Sequence, residues 1–228
     1  MLERPVFAQQ AARPSPQQTT ATTQVVQIGL LPIPVRNNAS GRSLRAVMDT
    51  VERLLLPVDF SDPFSFRRLS AKGERQIRWR RALDTIETIA RFVDSDTLAK
   101  AYYFYGKGMI FQDMAWSGMF IRDSAIIFAR NAIRYFETYI QNRIGDPAPV
   151  YESLAMLYFD FLSDPNTALR RINRSLALDP RRVYAHISKA TILRTMGRHA
   201  EACEALRRAR QIESLQIIDM MISSFRCP

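Results

Sequence analysis

The spacing of apolar residues predicts that most of the chain is helical. From Ser43 onward, apolar side chains recur every three or four positions, as on one face of an α-helix, until Pro57 ends the pattern. A second, longer helix is expected from about Ser70 to Val93. The first stripe comprises Leu44, Val47, Met48, Val51, Leu54 and Leu55, and the second comprises Ile77, Ala82, Leu83, Ile86, Ile89, Ala90 and Val93.

Beyond Asp96 the pattern predicts one helix after another. Glycine and proline interrupt the periodicity near residues 116–118, 144–149, 163–165 and 179–180, and at Gly197. No stretch alternates for long between apolar and polar residues, as a half-buried strand would. The expected fold class is therefore all-α.

The first 42 residues differ from the rest because they are rich in proline and show no helical period, so we expect an irregular tail. The segment carries arginines and only one acid, which is typical of an organellar transit segment, although a plain disordered tail fits equally well. An apolar strip at residues 25–35 either docks on a partner or folds back on its own domain. The expected organisation is a tail at 1–42, N-terminal helices at 43–96 and a helical-repeat domain at 97–228.

An internal repeat of 34 residues is present in the C-terminal part of the chain. Small residues recur in both copies, where two helices must approach closely. The second-helix positions Ala168, Ile172, Ser175 and Leu178 of one copy align with Ala202, Leu206, Ala209 and Ile212 of the next. Pro180 follows the first copy, and Gly197 provides the turn between the two helices of the second copy.

These residues resemble the tetratricopeptide repeat (TPR), a helix–turn–helix unit of 34 residues. The two C-terminal copies cover about residues 150–214, and they depart from the pattern at His186, Lys189 and Ser214, where an aromatic residue, a leucine and a proline are usual. A more degenerate copy is expected at about 98–147. Its first helix would carry Tyr102, Tyr105, Gly106 and Met109, and its second Ala125, Ala129 and Ala132.

The resemblance implies a short solenoid of antiparallel helix pairs, closed by a capping helix at residues 215–225. It also implies that the first helix of each pair lines a concave groove that binds a protein segment through a few aromatic anchors. The groove residues carried over from the repeat pattern are Glu152, Met156, Phe159, Tyr184, Ile187, Thr191 and Arg194.

Basic charge changes this picture, because 32 Lys and Arg residues outnumber 22 Asp and Glu, and the excess lies in two patches. The first patch, at residues 67–81, includes Arg67, Arg68, Arg75, Arg78, Arg80 and Arg81. In the second, Arg170, Arg171, Arg174 and Arg208 would form a ridge if the repeats stack. Arginine binds phosphate bidentately, so both patches are candidate RNA contacts, although charge runs also occur on ordinary solvated faces.

Recognisable catalytic motifs are missing from the sequence, including phosphate-binding glycine loops, zinc-protease motifs and serine elbows. The two cysteines are too few for a disulfide scaffold or a cysteine-built zinc module. His199 and Cys203 would share a helix face, but we interpret them as packing residues. No catalytic residue, metal site, cofactor or small-molecule substrate is expected.

The sequence therefore predicts a non-catalytic TPR-like adaptor or structural subunit that binds protein partners within a larger assembly. The alternative is an RNA-contacting subunit or assembly factor of an organellar ribonucleoprotein, such as the mitochondrial ribosome. The tail favours the mitochondrion, with the cytoplasm as the alternative. No apolar run reaches the ~18 residues that a membrane-spanning helix needs.

Overall fold

A computed structural model describes residues 39–55, 72–143 and 145–228. These ranges contain nine α-helices, one short 3-10 helix at Ala90–Phe92 and no strand, which confirms the all-α class. The helices are α1 (Ala39–Leu55), α2 (Lys72–Glu87), α3 (Thr97–Trp116), α4 (Arg122–Gln141), α5 (Ala148–Asp160), α6 (Pro165–Leu178), α7 (Val183–Thr195), α8 (His199–Ile212) and α9 (Gln216–Phe225). The expectations for residues 1–38 and 56–71 lie outside the described residues.

The helices pack as adjacent pairs, which together form a helical-repeat solenoid. Helix α1 pairs with α2, α3 with α4, α5 with α6 and α7 with α8, and α9 packs on α8. Each of the last three pairs is joined by a connection of three to five residues, and such short links make the paired helices antiparallel. The first helices of successive pairs also touch, as α5 touches α7.

Two expectations about the N-terminal helices are wrong. Helix α1 begins at Ala39, one turn earlier than expected, so residues 39–42 belong to the helix. Helix α2 ends at Glu87, where tighter i→i+3 hydrogen bonds from Thr88 and Ile89 replace the α-helical pattern. β-branched residues crowd this end of the helix and slightly weaken it.

Ile77 was expected on the packed face of α2, but 59% of it is exposed. The buried face instead carries Arg75 and Trp79, which are 8% and 3% exposed, and continues through Ala82, Ile86 and Ile89. Ile77 precedes Trp79 by two residues, and two positions along a helix correspond to opposite sides of its axis. The tryptophan ring therefore decides which side of this arginine-rich helix faces the core.

Local signals explain most of the other helix boundaries. The Asp96 carboxylate accepts hydrogen bonds from the backbone N–H groups of Leu98 and Ala99, and thereby caps α3. Asp164 caps α6 in the same way, and Pro165 occupies the first turn. Gly197 has a φ of 76°, a left-handed conformation that glycine adopts without strain as the chain leaves α7.

Three apolar clusters follow one another along the solenoid. The first cluster contains residues of all four helices from α1 through α4. It also includes Leu154 and Leu157 from one face of α5. The second lies between α5, α6 and α7, where Ala155 meets Ala168 and Ala185. The third joins α7, α8 and α9, and Ile218 is the residue of α9 that is fully buried in it.

Candidate functional site

The residues predicted to line a groove are on α5 and α7. Met156 and Phe159 are on one face of α5, and Tyr184, Ile187 and Thr191 are on one face of α7. All five side chains are half-buried, and the two helices contact each other. Each of them has part of its side chain available to a second molecule.

Two of these residues also stabilise the solenoid itself. Phe159 packs against the cluster formed by Ala155, Ala168 and Ile172, and Ile187 packs against the cluster between α7 and α8. Burial raises the pKa of the Tyr184 hydroxyl, and the nearby Glu213 and Glu152 carboxylates raise it further. Tyr184 therefore remains a neutral hydroxyl, with an apolar ring and a polar tip at the groove.

Glu152 does not face an open groove, contrary to expectation, because only 3% of it is exposed. Its Oε2 atom accepts two hydrogen bonds from the Arg182 guanidinium, from Nε at 3.0 Å and from Nη2 at 2.8 Å. Burial raises the pKa of Glu152, and the attraction of Arg182 offsets part of this rise. The pair joins α5 to the start of α7 and works as a buried clamp between repeats.

Arg182 was not identified from the sequence. It lies 30 residues from Glu152, in the connection just before α7, where the repeat pattern specifies no charged residue. A buried acid on the first helix of one repeat is the signal that could have revealed it, since a buried charge needs a partner.

Arg194 also differs from expectation, because it is engaged with the C-terminal helix. Its Nη1 atom donates a hydrogen bond to the carbonyl oxygen of Phe225 at 3.1 Å, and its guanidinium lies 4.8 Å from the centre of the Phe225 ring. Arg194 thereby ties the end of α9 to α7 and is not free to bind a partner in the groove.

Only some of the described arginines in the first basic patch are exposed at the surface. Arg75 is 8% exposed and donates a hydrogen bond to the carbonyl oxygen of Ser117 at 3.1 Å, so it is a structural residue and not a phosphate contact. Arg80 and Arg81 are exposed on α2, and Arg78 is half-buried. Arg67 and Arg68 lie outside the described residues.

Trp79, in the middle of this patch, is buried in the core. Its Nε1 atom donates a hydrogen bond of 2.6 Å to the Asp113 carboxylate. Burial raises the pKa of Asp113, and the hydrogen bond from Trp79 and the charge of Arg75 lower it in part. The two helices α2 and α3 are thus joined by a partly buried hydrogen bond.

The second basic patch does not form one continuous ridge of arginines. Arg171 turns toward α4, where its Nη2 atom lies 2.7 Å from Oε1 of Glu137, so it bridges two repeats. Arg208 is exposed but paired with Glu204 at 3.1 Å. Arg170 and Arg174 are exposed on α6, a helix without any Asp or Glu.

A row of aromatic rings on the α3/α4 pair was missed by the sequence analysis. Phe111 stacks on Tyr135 with ring centres 5.6 Å apart, and Phe128 lies between Phe111 and Phe120, at 6.3 and 4.7 Å. The four rings are half-buried, and the neighbouring Ile127 is 58% exposed. The seven-residue spacing of Phe128 and Tyr135 could have revealed this row, because residues i and i+7 share a helix face.

His199 and Cys203 do not form a reactive pair, because Cys203 is joined by a disulfide bond to Cys227. In the part of the chain that the structure describes, no group of three or more His, Cys, Asp and Glu side chains could hold a metal ion. Among the same residues, no helix is both long enough and apolar enough to span a membrane.

No protein-family model matches the sequence, and no curated protein matches it.

Proposed function

We propose that this chain is a non-catalytic, TPR-like adaptor or structural subunit that binds a protein segment along α5 and α7. The observation that carries the proposal is the set of half-buried apolar and aromatic side chains on two first helices that contact each other. In such a solenoid, the surface of the first helices is the one that neighbouring repeats build together.

The chemistry of this surface suits an amphipathic helix or an extended peptide. Phe159 and Tyr184 are aromatic anchors, which contribute strongly to binding when a partner covers them. Met156 is flexible and polarisable, so it adapts to the shape of an apolar partner side chain. The groove thus favours a partner with two or three apolar residues on one face, spaced as on a helix.

RNA binding is the second candidate function, and the arginines of α6 favour it. Arg170 and Arg174 are exposed; Arg170 lies near the capping Asp164, and the helix itself contains no Asp or Glu. Together with Arg80 and Arg81 they would contact phosphates in an organellar ribonucleoprotein, which the tail's composition would place in the mitochondrion. The arginines of α8 support this less, because Arg207 and Arg208 share the Glu204 carboxylate.

The two functions can be separated by capturing partners with a tagged full-length chain from its native source, at low and at high salt. Three variants are compared with the unmodified chain: Tyr184→Ala in the groove, the pair Arg170→Glu and Arg174→Glu on α6, and Ile127→Ser as an exposed apolar control. Circular dichroism checks that each variant is folded. Recovered protein and RNA are quantified separately, and the affinity for the main recovered protein is then measured with purified components.

A groove adaptor predicts that Tyr184→Ala weakens protein capture by about 30-fold or more, since loss of an aromatic anchor costs ~2–4 kcal/mol. The arginine pair and Ile127→Ser would then have little effect. The alternative outcome is that the Arg170→Glu and Arg174→Glu changes abolish RNA recovery and flatten the salt dependence of capture, while Tyr184→Ala has no effect. In that case the adaptor proposal fails and the RNA proposal is supported.

A further inference from the structure

The C-terminal helix α9 is joined covalently to α8. Cys203 is within α8 and Cys227 follows α9 by two residues, with a Cα–Cα distance of 5.4 Å. The chain reverses at Arg226, whose φ is 54°, and the Cys227 N–H group donates a hydrogen bond of 3.0 Å to the carbonyl oxygen of Ile222. This helix-ending turn points Cys227 back toward α8.

Helix α9 packs on α8 through a short apolar face. Ile218 is buried and Met221, Ile222 and Phe225 pack against the same cluster, whereas Ile217 and Met220 are 47% and 60% exposed. An ion pair between Arg210 and Asp219 at 3.2 Å is exposed to solvent, and exposed pairs contribute little to stability. A helix of ten residues is not stable by itself in water. The position of α9 therefore depends on this short apolar face, on the disulfide bond and on the contact between Arg194 and Phe225.

The two sulfur atoms differ in their access to solvent. Cys203 is 4% exposed, whereas Cys227 is half-buried and lines a surface cavity of about 500 Å³. The charged side chains that line this cavity are Arg207 and Arg210. A thiol-sized molecule can thus approach the bond at Cys227 and not at Cys203.

The charged side chains at the rim of the cavity are both arginines. Their ion-pair partners, Glu204 and Asp219, are not among the residues that line the cavity. Arg207 also donates a hydrogen bond to the Pro228 carbonyl oxygen at 3.3 Å, which keeps its guanidinium at the cavity. A small thiol that carries negative charge is attracted to such a rim.

We propose that the bond between Cys203 and Cys227 is a thiol-exchange site for a small anionic thiol of the glutathione type, and that exchange releases α9. The incoming thiolate attacks Sγ of Cys227 and forms a mixed disulfide there. The bond to Cys203 breaks, and the Cys203 sulfur leaves with the electron pair and takes up a proton from water. A second thiolate then attacks the small-molecule sulfur, so that Cys227 is freed and the oxidised dimer of the small thiol departs. This inference does not depend on the function proposed for the groove.

The experiment uses the oxidised full-length chain and reduced glutathione as the probe. Peptide mapping without reductant first tests for the link between Cys203 and Cys227. After acid quenching at increasing times, mass spectrometry locates the glutathione adduct, which is expected on Cys227 at least tenfold more often than on Cys203. Hydrogen exchange of the unmodified reduced chain is then expected to accelerate in α9, and to stay unchanged in α5 and α6.

A charge test separates attraction by the rim from simple access. Arg207→Gln together with Arg210→Gln should slow the reaction with glutathione on the order of fivefold at low salt, and leave the rate with neutral 2-mercaptoethanol unchanged. The matched control, Arg170→Gln with Arg174→Gln, also removes two arginines and should change neither rate.

The proposal is overturned if peptide mapping finds two free thiols in the oxidised chain, or if glutathione does not open the bond. An adduct mainly on Cys203, or unchanged hydrogen exchange in α9 after reduction, would also contradict it. If the Arg207 and Arg210 changes slow the reactions with glutathione and with 2-mercaptoethanol equally, the role of charge is refuted.

Discussion

The α3/α4 pair and the α7/α8 pair are both helical hairpins of the same solenoid, yet they pack by different means. Helices α3 and α4 have 20 residues each and meet through large rings, with Tyr105 lying 6.1 Å from Phe136 and 5.7 Å from Tyr139. Helices α7 and α8 have 13 and 14 residues and meet through alanines, including Ala190 and Ala202.

The small residues occupy different places in the two pairs. In α3, Gly108 lies directly against the Phe136 ring of α4, and Gly106 lies against Ile86 and Met48 of the preceding pair. In the C-terminal pairs, alanines on both helices let the backbones approach at repeated positions. The same architecture thus accommodates large rings packed on glycine in the α3/α4 pair and closely packed alanines in the C-terminal pairs.

The largest effect is expected at the clamp between the two C-terminal pairs. Arg182→Ala leaves Glu152 buried without its partner, which should lower the free energy of unfolding by ~3 kcal/mol at neutral pH. Urea unfolding measures this loss. The exposed neighbour Arg181, changed to alanine, is the matched control and should have little effect.

The same variant has a predictable pH dependence. Burial raises the pKa of folded Glu152 above its usual value of 4.5, and loss of Arg182 removes an interaction that lowers it. The protonated carboxyl is therefore favoured by folding, so this contribution to stability is fully present below about pH 4.5 and is lost as pH rises through the raised pKa. The deficit of Arg182→Ala should shrink toward acid pH, and a second change, Glu152→Gln, should abolish this dependence.

A smaller loss is expected when the alanine packing of the C-terminal pairs is disturbed. Ala168 and Ala202 are both 0% exposed, so leucine at either position should overpack the core and cost ~1–3 kcal/mol. Thermal melting of the two variants measures the loss. Ala177→Leu and Ala200→Leu, at exposed positions of the same helices, are the controls. Unchanged melting of both core variants would show that the repeat register is wrong.

The smallest effect is expected for Gly108→Ala in the aromatic pair. An alanine Cβ atom would lie 3.0 Å from Cγ of Phe136 and closer to two other ring atoms, so the ring must shift. Overpacking costs ~1–3 kcal/mol and the better helix propensity of alanine returns ~1 kcal/mol, which leaves a net loss of about 1 kcal/mol. In a Phe136→Leu background the clash is relieved, so the same change should stabilise the protein. A loss of equal size in both backgrounds would exclude the ring as its cause.

Much of the fold could be predicted from local signals. Proline, glycine and capping aspartates mark helix ends near 163–165, 179–180 and 197, and the structure has helix ends at these positions. Helix α9 is also present at the predicted place, although Arg194 and the disulfide that hold it were missed. The boundary of α2 and the orientation of Ile77 were wrong, because the pattern of a helix with many arginines identifies its buried face poorly.

In the candidate groove, too, some residues lie where the sequence pattern predicted and others do not. The structure places Met156, Tyr184 and Thr191, which the repeat pattern assigned to the groove, at half-buried positions of two helices that contact each other. The repeat pattern failed for Glu152 and Arg194, because each is engaged by a residue at least 30 positions away. A charged residue on the expected face can therefore be a structural contact, and the repeat pattern by itself does not distinguish the two.

By itself, the sequence determined that the chain is all-α, where most of its helices end, and which small residues recur every 34 positions. These features depend on backbone preferences and on contacts within a few residues, which any short segment carries. Only the tertiary structure decided that Arg182 pairs with Glu152, Arg171 with Glu137 and Cys203 with Cys227. Those partners lie 30, 34 and 24 residues apart, and only the packing of helices against one another brings them together.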